Sequence, residues 1–148
     1  MSNVVSILNG LITTSKDGEE GFRIASEHTK DFELKRVFQE RIRDCAKAAA
    51  ELQELVSGMN EEPTDSGSIL GAMHRGWLGI KTAITGDDDL AILEECERGE
   101  DVSKKNYTEA VTKDLPANVR LVVQNQYDTA LRNHDLIRDL RDRYRAAK

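Results

Sequence analysis

SGSILGAMHRGWLGIKTAITG, residues 66–86, decides how the rest of this chain is read. It holds half of the ten glycines, the only tryptophan (Trp77) and no acidic residue. At helical spacing Ala72, Gly76, Gly79 and Ala83 fall on one strip of small side chains. Ile69, Met73, Trp77, Ile80 and Ile84 form a bulky strip beside them. A helix that is small and apolar over most of its girth is built to pack closely against others. Long charged helical segments lie on both sides. The stretch therefore reads as a crossover, helical over about 67–85, tying two helical hairpins into one bundle.

Upstream, GMNEEPTDSG (58–67) is a polar loop containing Pro63, with Asp65 or Ser66 placed to cap the crossover. Before it, two periodic segments predict helices over about 4–28 and 32–57. Ser2 or Asn3 caps the first, whose inward stripe is Leu8, Leu11, Ile12, Ser15, Phe22 and Ala25. Gly18 and Gly21 interrupt it at about 1 kcal/mol each relative to Ala, which suggests close approach by a neighbouring helix. Asp31 caps the second, which turns Leu34, Phe38, Cys45, Ala48, Leu52 and Leu55 inward and ends at Gly58. So short a break makes the pair antiparallel neighbours.

Downstream, Gly86 closes the crossover and Asp87–Asp89 suits a helix start, where acids oppose the dipole. Helices follow over about 89–113 and 116–146, with Pro116 in the first turn of the second. Their inward faces are Ile92 or Leu93, Cys96, Gly99, Ser103, Tyr107 and Ala110, then Val119, Val122, Val123, Tyr127, Ala130, Ile137, Leu140 and Tyr144. Hairpin, long crossover, hairpin is the ferritin-like order rather than a simple up-and-down one. The expected fold is one all-α domain, 1–148, a four-helix bundle with a short extra helix in the crossover.

Four stretches carry a resemblance: DGEEGF (17–22), EEPTDSGSILGAMHRGW (61–77), AILEECERGED (91–101) and NQYDTALRNHDLIRDLRD (125–142). Through them the chain resembles a bacterial family of uncharacterised four-helix-bundle proteins in the ferritin-like superfamily. The resemblance implies the fold, a bacterial cytoplasmic setting and a role in stress, and it transfers no active site.

Composition excludes several classes. A formal net charge of −6 opposes a general nucleic-acid binder, DNA-shielding ferritin-like proteins included, because phosphate contacts need clustered Lys and Arg. No apolar run approaches the roughly 18 residues of a membrane span, and the N-terminus lacks the basic region of a signal peptide. Charge is segregated, with eight acids against Arg98 over Asp87–Asp101 and six Lys/Arg against three Asp from Arg132 to Lys148. The simplest reading is two solvated faces, although they can also meet within one molecule or between two. Cys45 and Cys96 lack metal-ligand spacing and read as reduced thiols, with a disulfide between them the less favoured alternative.

Ferritin-like carboxylate sites need Glu-x-x-His on two helices. The residues three before His28, His74 and His134 are Ala25, Gly71 and Leu131, so the motif is absent. Glu19, Arg41, Glu100 and His134 fall at a similar depth along their helices and predict a polar mid-bundle layer. An ion-paired or solvated layer is the favoured reading. A metal site, with iron or manganese on Glu19, Glu100 and His134, is the alternative, and Arg41 opposes it by repelling a cation. His74, Arg75 and Lys81 give the crossover a narrow basic edge, an anion or acidic-partner site only if it is more than solvated. Trp77 reads as a core anchor, or as an interface residue if exposed. No cofactor is expected. The expected function is non-enzymatic, through protein contacts or self-association at Trp77, Gly76, Gly79, His74 and Arg75, with the carboxylate-bound metal protein as the alternative.

Overall fold

The computed structural model describes residues 2–64, 77, 79–85 and 88–147. Four long helices carry the chain: α1 (Ser2–His28), α2 (Phe32–Gly58), α4 (Asp89–Val111) and α5 (Ala117–Ala146), with the short α3 (Ile80–Thr85) in the crossover. Among the described residues there is no strand, and the fold is the expected all-α four-helix bundle. The first part of the expected crossover helix, including Ile69, Ala72, Met73, His74, Arg75 and Gly76, lies outside the described residues, as do Asp65, Ser66 and Gly86.

The helix ends follow capping chemistry, with three corrections. Asp31 caps α2 by accepting from Glu33 N at 2.8 Å and Leu34 N at 3.4 Å, and Asp88 caps α4 by accepting from Leu90 N at 3.0 Å. α1 already begins at Ser2, so Asn3 lies inside it rather than capping it. Gly58 is the last residue of α2 rather than its cap; Met59 follows, and Asn60 takes the left-handed turn at φ 60°. Asn tolerates that region because its short polar side chain can bond locally. Pro116 stands just before α5, as its N-cap, instead of in the first turn.

Two polar ties set the topology. Thr29 Oγ1 donates to Asp89 Oδ1 at 2.7 Å, which places the start of α4 beside the α1–α2 turn. Thr64 lies at the opposite end, its N–H donating to Asn9 Oδ1 at 3.1 Å and its carbonyl accepting from Gln53 Nε2 at 2.9 Å. The chain therefore travels the length of the bundle between α2 and α4, and the four long helices run up, down, down, up. α1 packs on α2 and α4; α5 packs on α4 and more loosely on α2.

The core divides into two clusters. One, toward the α1–α2 turn, contains Phe22, Leu34, Phe38, Trp77, Leu93 and Ile137. The other contains Leu8, Ile12, Leu52, Val56, Val119 and Val123. The whole predicted stripe of α1 is buried. On α2, Ala49 and Val56 take inward positions expected for Ala48 and Leu55, which are half-buried.

Trp77 is the anchor expected of it, 5% exposed and edge-on to Phe22 with ring centroids 5.0 Å apart. It enters a notch made by two glycines. A Cβ on Gly21 of α1 would sit 2.3 Å from the indole, and one on Gly99 of α4 would sit 2.2 Å from its other edge. The glycine in α1 is thus explained by a crossover side chain rather than by a neighbouring helix backbone. At Gly79 an added Cβ would meet the carboxylate end of Glu95, with Cδ at 2.5 Å, so the crossover there lies against a side chain of α4.

Candidate functional site

Between the two clusters lies a polar waist. Tyr107 Oη donates to Gln126 Oε1 at 2.7 Å, and Gln126 Nε2 donates to Ala48 O at 3.2 Å and Glu51 Oε1 at 3.0 Å. Ser15 of α1 lies beside the Tyr107 hydroxyl on the cavity lining. One network thus joins α5, α4 and α2, and every fully buried polar atom in it is satisfied, which rigidifies a low-dielectric site. Gln126 falls on the spacing Val119, Val123, Gln126, Ala130 that faces inward, although the more apolar Val122 and Tyr127 draw the eye in sequence.

The waist encloses a cavity of about 270 Å³. Ser15, Gly18 and Phe22 form its α1 wall, and Trp77, Gly99 and Glu100 lie opposite. Its rim is built from α2 and α5, the loosely packed pair, and carries Asp44, Lys47, Glu51 and Asn133. Glu100 is 7% exposed, and among the described residues no hydrogen bond or ion pair reaches its carboxylate. Every fully enclosed side-chain N or O among those residues has a hydrogen-bond partner, so the Glu100 oxygens must be reached from the cavity. Burial pushes this carboxyl up to about 7, against the opposing pull of Arg41 and His134.

Of the four residues expected to form a mid-bundle layer, Arg41, Glu100 and His134 are buried, and Arg41 and His134 lie near enough to Glu100 to act on its carboxylate, although neither hydrogen-bonds it. Arg41 pairs with Asp44, one turn along α2, and its burial lowers its affinity for a proton. His134 lies between Asp101 and Asp135. Glu19 is a third exposed and pairs with Lys16 at 3.8 Å. Of the proposed basic edge only Lys81 is described, and it is exposed. Cys45 and Cys96 are free thiols, held neutral by burial and by the nearby Glu100.

The acidic stretch and the basic tail meet within the molecule instead of standing as two solvated faces. Glu97 pairs with Arg141, and Glu94 with Arg145 at 3.2 Å, across the α4–α5 groove. Among the described residues no helix is long and apolar enough to cross a membrane.

A family model described as a domain of unknown function (DUF2383) matches residues 3–113. The match takes in α1, α2, the crossover and α4, and with them Gly21, Cys45, Trp77, Gly99 and Glu100. No curated protein matches the chain.

Proposed function

The chain belongs to that family of domains of unknown function, and from its geometry we propose that it is a non-covalent binding protein whose ligand site is the waist cavity. The observation that carries this is Glu100, a nine-tenths-buried carboxylate on the cavity lining that no hydrogen bond or ion pair reaches among the described residues. Burying a charge with no partner costs stability, so a bundle that keeps one keeps it for something that arrives. With Asp44 paired to Arg41, Glu51 and Glu100 still outnumber Lys47 on the lining, and the Trp77 ring stands in the wall. That combination suits a small organic cation, which gains from both a carboxylate and an aromatic face. The neutral, desolvated thiols support binding over nucleophilic chemistry. The resemblance to ferritin-like bundles adds a bacterial stress setting to the proposal.

Trp77 is the only tryptophan, so its emission reports the cavity directly. Titration with benzylammonium is expected to give a saturable change in emission that Glu100→Gln abolishes. No response, or an equal response in the variant, sinks the reading.

Self-association is a second reading, supported by Phe32, which stands 85% exposed at the start of α2. Light scattering across protein and salt concentration checks it, and a mass fixed at 16.6 kDa throughout removes it.

A further inference from the structure

His134 presents a carboxylate to each ring nitrogen: Asp135 Oδ1 lies 3.2 Å from Nδ1, and Asp101 Oδ1 faces Nε2. A neutral imidazole has one N–H and can donate to only one of them. With Nδ1–H donating to Asp135, the Nε2 lone pair points at a carboxylate oxygen, an arrangement that either a proton or a metal ion between the two relieves. Glu97, one turn before Asp101 on α4, brings a third group. One ligand atom from each of Glu97, Asp101 and His134 lies within 4.8 Å of the others.

We propose that the α4–α5 groove holds a first-row divalent metal ion on Glu97, Asp101 and His134. An imidazole with two carboxylates suits zinc-like ions better than calcium or magnesium. Zinc takes His nitrogen and carboxylate oxygen at about 2.0–2.2 Å, so Asp101 swings away from Nε2 to admit the ion and Glu97 turns toward it. Asp135 on Nδ1 supplies the outer carboxylate that orients a metal-bound histidine. The nearby cations are already placed. Arg141, which now pairs with Glu97, also holds Asp142 at 2.7 Å, so it keeps a partner when Glu97 turns to the metal. Arg138 is shared by Asp135 at 3.3 Å and Asp139 at 3.2 Å. Asp101 is more than half exposed, which leaves the outer side of the ion open to water. This groove is distinct from the interior set of Glu19, Glu100 and His134, with which it shares only the histidine.

Calorimetric titration of the metal-free full chain with Zn²⁺ tests the site, with circular dichroism confirming that each variant is folded. Saturable binding is expected, weakened at least about tenfold in both His134→Gln and Asp101→Asn. Because Asp101 is exposed, its variant keeps the test alive if His134→Gln fails to fold. Co²⁺ in place of Zn²⁺ is expected to show ligand-field bands without a thiolate charge-transfer band. No saturable binding into the millimolar range, undiminished binding by Asp101→Asn, or a thiolate band would overturn the proposal.

Discussion

Above pH 7 the Glu100 carboxylate ionises inside the bundle without a hydrogen-bond partner among the described residues. Its folded value of about 7 stands above the ordinary 4.5. Between those values the native protein holds a proton that the unfolded chain has released, so stability falls as pH rises through the window. At about 1.4 kcal/mol per unit the ionised group costs the fold roughly 3 kcal/mol. Glu100→Gln removes that cost. Urea unfolding is expected to show the variant more stable than the parent by roughly 2–3 kcal/mol at pH 8, with the gain vanishing near pH 4.5. A loss at pH 8 would instead make Glu100 a working ion-pair partner of Arg41.

At the scale of elements, the crossover is locked by a large side chain entering two small ones. The indole of Trp77 occupies the space that Cβ atoms on Gly21 and Gly99 would need. Gly99→Ala is therefore expected to overpack the notch and to cost about 1–3 kcal/mol. Trp77→Ala leaves a void and costs about 3–5 kcal/mol. In that background the sign of the first change reverses, because alanine is the better helix former by about 1 kcal/mol once the ring is gone. Chemical denaturation of the two single variants and the double variant checks this, and simple additivity would remove the wedge.

For the whole molecule, the helices and their order are legible because apolar periodicity, Asp caps and short turns all act locally. The notch could be half read: Gly18 and Gly21 announce close approach, but nothing in α1 names Trp77 as what approaches. The site is less legible. Counting along helices fixes a residue's height in the bundle and not the direction in which it points. Glu100 and Asp101 are neighbours in sequence, yet a turn of about 100° aims one at the cavity and the other at the outer groove. Height alone groups His134 with Glu19 and Glu100, whereas its ring nitrogen meets Asp101. Gln126 shows a related effect: spacing places it inside, while hydrophobicity favours Tyr127 next to it.

The up-down-down-up course also orders assembly. Each hairpin closes over a few residues of turn, so α1–α2 and α4–α5 can each zip up at little loop-closure cost. Trp77 touches both α1 and α4, and its notch exists only when the two hairpins lie side by side. The indole is thus the latch, the piece that can engage only after everything it holds together is already in place.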